Sequence, residues 1–420
     1  MKKIYVYFAA SRYWTDKELL LDFYKKISSD EKDESVLIVD GQGIENVKKA
    51  DVLIIVPMSG AVQKYIIQLA KKFDNVIIYG AYIRGNCQEE ICSEMQKCNA
   101  APTLMDCWSV LKRTHKNSYL ALSKKELNDK LNVIAAYFHI TASKLLLIGG
   151  SEPWVISTAK NLDYYRERFK VEIKEVSQDE ILNEYEKITI NDSRYIYDFF
   201  NFLSNEMLEP TNDDLINSAR MAQALINVLQ NHDADGCAIS CFALLKTGTS
   251  MCLGVSYIND CTDMVAACEG DMDSAVTMLM MKKLTNSNLW IANPGLQPND
   301  TVNFNHCTGP IHMINKNKAQ PTILRNHHES GIGVALQIEA PINQQVTACR
   351  VSDNASKITI QKGKVVQGIY ENACRTQMHI LFDDYKHYLD SALGCHQVIA
   401  FEDIANKMMM LAEMFDLQLI

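Results

Sequence analysis

The chain has 420 residues, 47% of them hydrophobic and 22% charged, with 42 basic against 51 acidic side chains and a formal charge of −9. This composition excludes a disordered or fibrous chain, and at roughly 100–200 residues per domain the length predicts two to four domains. The acidic balance, with no Lys/Arg run beyond pairs such as Lys2-Lys3 and Lys282-Lys283, argues against a nucleic-acid partner.

The first 90 residues alternate short apolar runs with segments of helical period. Lys3–Ala9 reads as a strand, Lys17–Ile27 as a helix, Ser35–Val39 and Asp51–Val56 as strands, Val62–Lys72 as a helix and Asn75–Tyr79 as a strand. Uninterrupted apolar strands separated by helices indicate a parallel sheet covered on both faces. The turn after the first strand, Ala10-Ser11-Arg12, has no G-x-G-x-x-G, so a dinucleotide site has no support there. A second unit is expected from Ala101: Leu111–Phe138 is helical in period, Lys144–Gly149 and Phe169–Val176 are strands, and Gly149-Gly150-Ser151 resembles a phosphate loop opening a helix at Val155–Leu162. Pro153 and the lack of a following Lys-Ser/Thr pair favour a plain turn instead. A longer helix, Asn212 to about Asn231, begins at an Asn/Asp-rich cap.

Beyond Gly236 the texture changes. Nine of the thirteen cysteines lie there, and eight of the ten histidines lie at or beyond His232. The cysteines are odd in number, scattered and without a C-x-x-C pair, which predicts small buried hydrophobes in a reducing cytoplasm rather than disulfides or a zinc site. The N-terminus lacks a secretory pattern, and no apolar stretch approaches the ~18 residues of a membrane span.

Four clusters could carry chemistry. Cys268-Glu269-Gly270-Asp271-Met272-Asp273 precedes the helical run Ser274–Leu284, and helix capping explains Asp271 and Asp273 better than it explains Glu269. His306 sits in Asn305-His306-Cys307-Thr308-Gly309-Pro310, His327 and His328 are adjacent in an extended segment, and His396 follows Gly394-Cys395. A lone histidine is more often structural, but four sites together with Glu269 predict a divalent-metal centre, for which manganese suits the carboxylate–imidazole mixture better than structural zinc. Cys268, Cys307, Cys374 and Cys395 adjoin these motifs, and a Cys–His nucleophile is the weaker alternative.

The segments AACEGDMDSAVTMLMMKKLT, NHCTGP, RNHHESGIGVALQ, CRTQ and GCH, in this order over Gly236–Asp403, resemble the C-terminal part of the L-fucose isomerase and L-arabinose isomerase superfamily. The resemblance implies a cytoplasmic Mn2+-dependent aldose–ketose isomerase that acts on a small sugar (pentose, hexose or 6-deoxyhexose) through an ene-diol and assembles as a homo-oligomer, trimer or hexamer. It implies Glu269 as metal ligand and acid/base group, His306 and His396 as ligands, His328 or else His327 lining the sugar pocket, and Arg375 and Asp271 as further substrate contacts. The expected fold is α/β: two N-terminal open parallel-sheet (Rossmann/flavodoxin-like) domains, 1–100 and 101–300, the second carrying Glu269, followed by a mixed α+β, barrel-like domain, 301–420, that closes the site.

The chain departs from the family pattern at the second acidic ligand, whose matching position is Asn293. Asn293 is expected at the catalytic position and among the metal ligands, but an amide oxygen can ligate a metal and cannot exchange a proton, so Asp271, Asp300 or a water must replace the carboxylate. The alternatives are therefore a sugar-binding relative without turnover, or an epimerase or lyase on the same metal.

Overall fold

The computed structural model describes residues 3–27, 34–297 and 300–420; of the basic pair Lys2-Lys3, Lys2 lies outside them. The chain divides after Phe138 into two compact units, within the helix Lys124–Ile140.

Unit 1 is an open parallel sheet of β1 (Ile4–Ala10), β2 (Glu34–Val39), β3 (Val52–Pro57), β4 (Asn75–Tyr79) and β5 (Asn117–Ala121), in the order β2-β1-β3-β4-β5. Tyr7, Phe8, Leu53, Ile55, Ile77 and Ile78 are fully buried, as expected of strands covered on both faces. The expected boundary near residue 100 moves to 138 because β5, read from sequence as part of one long helix, pairs with β4 from Asn75↔Asn117 to Tyr79↔Ala121. The expectation of no disulfide is also corrected: Cys87 and Cys92 are bonded. They flank Gln88, the N-cap of the helix Glu89–Lys97, and the turn into that helix sets their Cα atoms 6.2 Å apart, inside the usual span of about 4.4–6.8 Å.

Unit 2 begins with β6 (Lys144–Ile148), β7 (Glu172–Val176), the two-residue β8 (Glu206–Met207), β9 (Gly236–Ile239) and β10 (Val265–Ala267). Four of these form a second parallel sheet, ordered β10-β9-β6-β7. The helix Asn212–Asn231 is nucleated by a capping box between Thr211 and Asp214 and buries Leu215, Ala219, Ala222, Leu225 and Leu229. The segment 155–162, in contrast, forms no helix. The later strands are β11 (Leu289–Leu296), β12 (Thr301–His306), β13 (Thr322–Arg325), β14 (Ala335–Ile338), β15 (Gln345–Ser352), β16 (Lys357–Gly368), β17 (Thr376–Phe382), β18 (Gln397–Ala400) and β19 (Gln418–Leu419).

Six of them, β15-β18-β11-β12-β17-β16, close into an antiparallel barrel through the β15–β16 pairing. Closure leaves the barrel no free edge. Trp290, Ala292, Val302, Phe304, Met378, Ile380 and Ile399 belong to one core that also includes residues of the parallel sheet and of the helix Asn212–Asn231. The expected boundary at 300 falls between β11 and β12, which are neighbouring strands of the barrel paired at Leu296↔Val302. Among the described residues no helix is long and apolar enough to cross a membrane.

Candidate metal centre

Glu269 leaves the end of β10 in a backbone conformation that few side chains adopt. It and Gly270 both have left-handed torsions, φ 59° and 63°. Glycine is required at 270, since a Cβ there would lie 2.1 Å from the carbonyl oxygen of Gly150. The turn is held by Ser151 Oγ donating to the Gly270 carbonyl at 2.8 Å and by the Glu152 N–H donating to the Glu269 carbonyl at 3.0 Å. The Gly149-Gly150-Ser151 turn thus packs against the Glu269 loop. Asp271 then caps the helix Met272–Lys282 by accepting from the Ser274 N–H.

His306 is the last residue of β12, and His396 immediately precedes β18. Gly394 admits this approach because a Cβ would lie 2.4 Å from Arg350 Nε. One donor atom from each of Glu269, His306 and His396 falls within 4.8 Å of the others. Glu269 Oε1 stands 3.5 Å from His396 Nε2 and 4.0 Å from His306 Nε2, and the imidazole centroids are 5.8 Å apart. Ligand atoms about 2.1 Å from a shared cation stand ~3.0–3.5 Å apart, so this spacing needs only a small contraction.

Each distal ring nitrogen is anchored. His396 Nδ1 lies 2.8 Å from Asp271 Oδ2, and His306 Nδ1 lies 2.8 Å from Thr308 Oγ1. Both Nε2 atoms are left to face Glu269, and that of His396 is buried with no hydrogen-bond partner. The 3.5 Å gap to Oε1 is too long to satisfy it. A buried orphan nitrogen aimed at a carboxylate, with its other nitrogen held by a second carboxylate, is the arrangement a cation completes. The donor set fits a divalent ion.

Glu269 Oε2 accepts from the indole N–H of Trp154 at 2.7 Å. Burial opposes its ionisation, but contact with His396 and the charges of His396 and His306 overcome this and hold the carboxyl at about 2. Burial likewise opposes the charge on His396, yet Asp271 and Glu269 raise it to about 10. His306 is pushed down to about 4 by burial and then by His396. The protonated His396 ring thus supplies the positive charge between the two carboxylates, and a divalent ion would take over that role while releasing the imidazole proton.

Behind the triad, Arg350 is fully buried and donates through Nη1 to Asp271 Oδ2 and the His396 carbonyl, both at 2.9 Å, and through Nη2 to Asp273 Oδ2 at 3.4 Å. Asp273 also accepts from Tyr165 at 2.6 Å and Ser352 at 2.7 Å.

The structure brings together the expected ligands Glu269, His306 and His396. Asn293 pairs across the sheet with Asn305, the residue before His306, and its carbonyl accepts from Asn305 Nδ2 at 3.3 Å. Asp271 is corrected from a substrate contact to a support: it is fully buried and spends its oxygens on Thr158, Ser274, Arg350 and His396. Asp300 is no substitute carboxylate either, because it precedes β12 at the end opposite His306, about 20 Å away at the rise of a strand. Of the two adjacent histidines, His327 joins the wall of the site. Its ring packs 5.5 Å from Phe242, which packs 4.9 Å from Trp154, while Ser330 Oγ lies 2.9 Å from its Nδ1. Arg375 donates to the backbone and side-chain oxygens of Asn326 and braces that loop.

Three contributors escape a reading of the sequence. Trp154 lies in a segment read only as a turn, and Thr308 is one hydroxyl among many. Arg350 carries a signal, a lone charge inside the otherwise uncharged strand QVTACRVS. No protein-family profile matches the chain, and no characterised protein matches it.

Proposed function

We propose that the chain is a divalent-metal-dependent aldose–ketose isomerase of a small sugar, with Mn2+ as the cation and Glu269, His306 and His396 as its protein ligands. The observation that carries this reading is the orphaned, buried Nε2 of His396 pointing at Glu269 while Asp271 holds the opposite nitrogen. Two imidazoles and one carboxylate leave coordination positions for adjacent sugar oxygens. When bound, the cation supplies Lewis-acid polarisation of a carbonyl and lowers the pKa of the neighbouring C–H. Glu269, ionised at neutral pH, enters as the base form. Trp154 fixes one of its oxygens and leaves the other toward the imidazoles. Its depressed pKa makes it a stronger ligand than proton carrier, so the proton moving between C1 and C2 of an ene-diol needs a second group. Homo-oligomeric assembly, as a trimer or hexamer in the cytoplasm, belongs to the same reading.

A second reading, a sugar-binding relative without turnover, is favoured by one observation: neither Asp271 nor Asp300 can replace the carboxylate missing at Asn293. An epimerase or lyase would use the same centre. Metal analysis of protein purified without chelators should find close to one Mn2+ per chain, reduced by at least ~100-fold in affinity in Glu269→Gln. Incubation of the Mn2+-loaded protein with pentoses, hexoses and 6-deoxyhexoses in D2O, followed by NMR, should show deuterium entering at C1 of a ketose product. Metal binding without turnover of any sugar, with turnover appearing in Asn293→Asp, would establish the second reading instead.

A further inference from the structure

The barrel carries a recess that the triad does not use. A cavity of about 300 Å3 is lined by Pro294 of β11, Thr359 of β16 and Gln397 of β18, together with Ser391 and Gly394 from the segment that follows the helix Tyr385–Asp390. That volume is about ten times the ~30 Å3 share of one water in the liquid and lies at the lower end of ligand clefts. None of Glu269, His306 and His396 lines it.

Thr359 and Gln397 are only 4% and 3% exposed, yet Thr359 Oγ1 and Gln397 Oε1 find no hydrogen-bond partner among the described residues. The Gln397 amide is oriented by its Nε2, which donates to the Gly394 carbonyl at 3.4 Å, so the oxygen is the atom left over. Arg350 Nε is a third such atom. Arg350 pairs with Thr359 in the β15–β16 register, and its Nε would lie 2.4 Å from a Cβ on Gly394. Buried polar groups are ordinarily satisfied, and three orphans grouped around one cavity mark a place that something outside the fold completes.

We propose that this recess binds a small uncharged polyol, with Thr359 and Gln397 reading its hydroxyls. A hydroxyl both donates and accepts, so one polyol can donate to Gln397 Oε1 and accept from Thr359 Oγ1. No charged side chain lines the cavity, and the Arg350 guanidinium is already paired with Asp271 and shared with Asp273, so nothing there favours an anion. Pro294, Leu296 and Leu389 offer apolar surface to the C–H face of a polyol chain. Tyr388, whose ring stacks on Phe382 at 4.5 Å, adds to that surface. The site does not rest on the metal reading, because it uses none of the three ligands.

The test is a saturation-transfer NMR titration of the full-length protein with xylitol, which has no carbonyl and cannot be isomerised. Saturable binding is expected in the millimolar range, as befits so small a ligand. It should weaken about 5–10-fold in Thr359→Val, which removes one hydrogen bond without changing the shape of the side chain. It should disappear in Ala392→Trp, which fills the recess from an exposed position and leaves the buried wall intact. Treatment with EDTA should leave it unchanged, whereas xylitol held by a cation at the triad would be released. Xylonate, with a carboxylate at one end, should bind at least about tenfold more weakly. No saturable binding of xylitol, binding that EDTA abolishes, binding that survives Ala392→Trp, or an unchanged affinity in Thr359→Val overturns the assignment. Xylonate binding as tightly as xylitol overturns the uncharged class.

Discussion

Asp271 separates two polar clusters that are completed in opposite ways. On its inner side, Asp271 and Asp273 share the Arg350 guanidinium, and Thr158, Tyr165, Ser274 and Ser352 supply the remaining donors. On its outer side, Glu269, His306 and His396 approach one another without closing their bonds. The inner cluster is self-sufficient in charge, and its product is geometry: it fixes the ring of His396 and the start of the helix Met272–Lys282. In the outer cluster the positive charge is the His396 ring itself, whose proton a divalent ion can displace. A buried ion network paired by a fixed guanidinium builds structure, while one paired by a displaceable proton can serve as a site.

Removing the inner cation is the most severe way to break this contrast. Arg350→Leu leaves Asp271 and Asp273 buried without compensation and should cost about 3–5 kcal/mol in urea-induced unfolding. A loss below ~1 kcal/mol would mean that the inner cluster does not hold unit 2 together. A gentler cut separates support from ligation. Asp271→Asn keeps the cap on the helix but weakens the hold on His396 Nδ1, and Mn2+ affinity measured by calorimetry should drop about 10–100-fold. Unchanged affinity would show that the inner cluster does not orient the ligands.

The smallest effect comes from a control pair that is not part of the triad. His312 Nδ1 lies 3.0 Å from Asp260 Oδ1, and that hydrogen bond raises the pKa of the ring against partial burial. A raised folded-state pKa gives stabilisation that is complete below the unfolded value of about 6.5 and disappears as pH rises through the folded value. The unfolding free-energy advantage of the wild type over His312→Asn should therefore be larger at pH 6 than at pH 9, on the order of 1 kcal/mol or less. An advantage independent of pH would locate the contribution in packing instead.

How far the sequence discloses this arrangement depends on what each residue answers to. The strands β1, β3, β4 and β6 and the helix Asn212–Asn231 are legible because burial imposes a strict apolar pattern on them. Asn117–Ala121 is not, being a short, half-buried strand at the sheet edge with polar residues at its start. Val155–Leu162 has a helical pattern but spends its polar groups elsewhere: Ser157 and Thr158 bond Arg350 and Asp271, and the Ala159 N–H donates to Tyr165. In the site, Glu269, His306 and His396 stand out as residue types with few cheap structural roles at their positions. Asp271 misleads because a carboxylate beside a ligand looks the same in sequence whether it faces solvent or the core. Its role is settled by Arg350, 79 residues away along the chain, which no local pattern connects to it.

The bond from Trp154 to Glu269 has an optical consequence. Of the four tryptophans, Trp14 and Trp290 are buried and Trp108 is partly so, while Trp154 is 52% exposed and alone donates to the triad. An exposed indole emits to the red of buried ones, so Trp154 is expected to be the red-shifted component of the chain's fluorescence, and a change in the charge or position of the Glu269 carboxylate acts directly on its N–H. The molecule thus carries a chromophore of its own bonded to the triad, and the state of the triad can be followed in the native chain without a label.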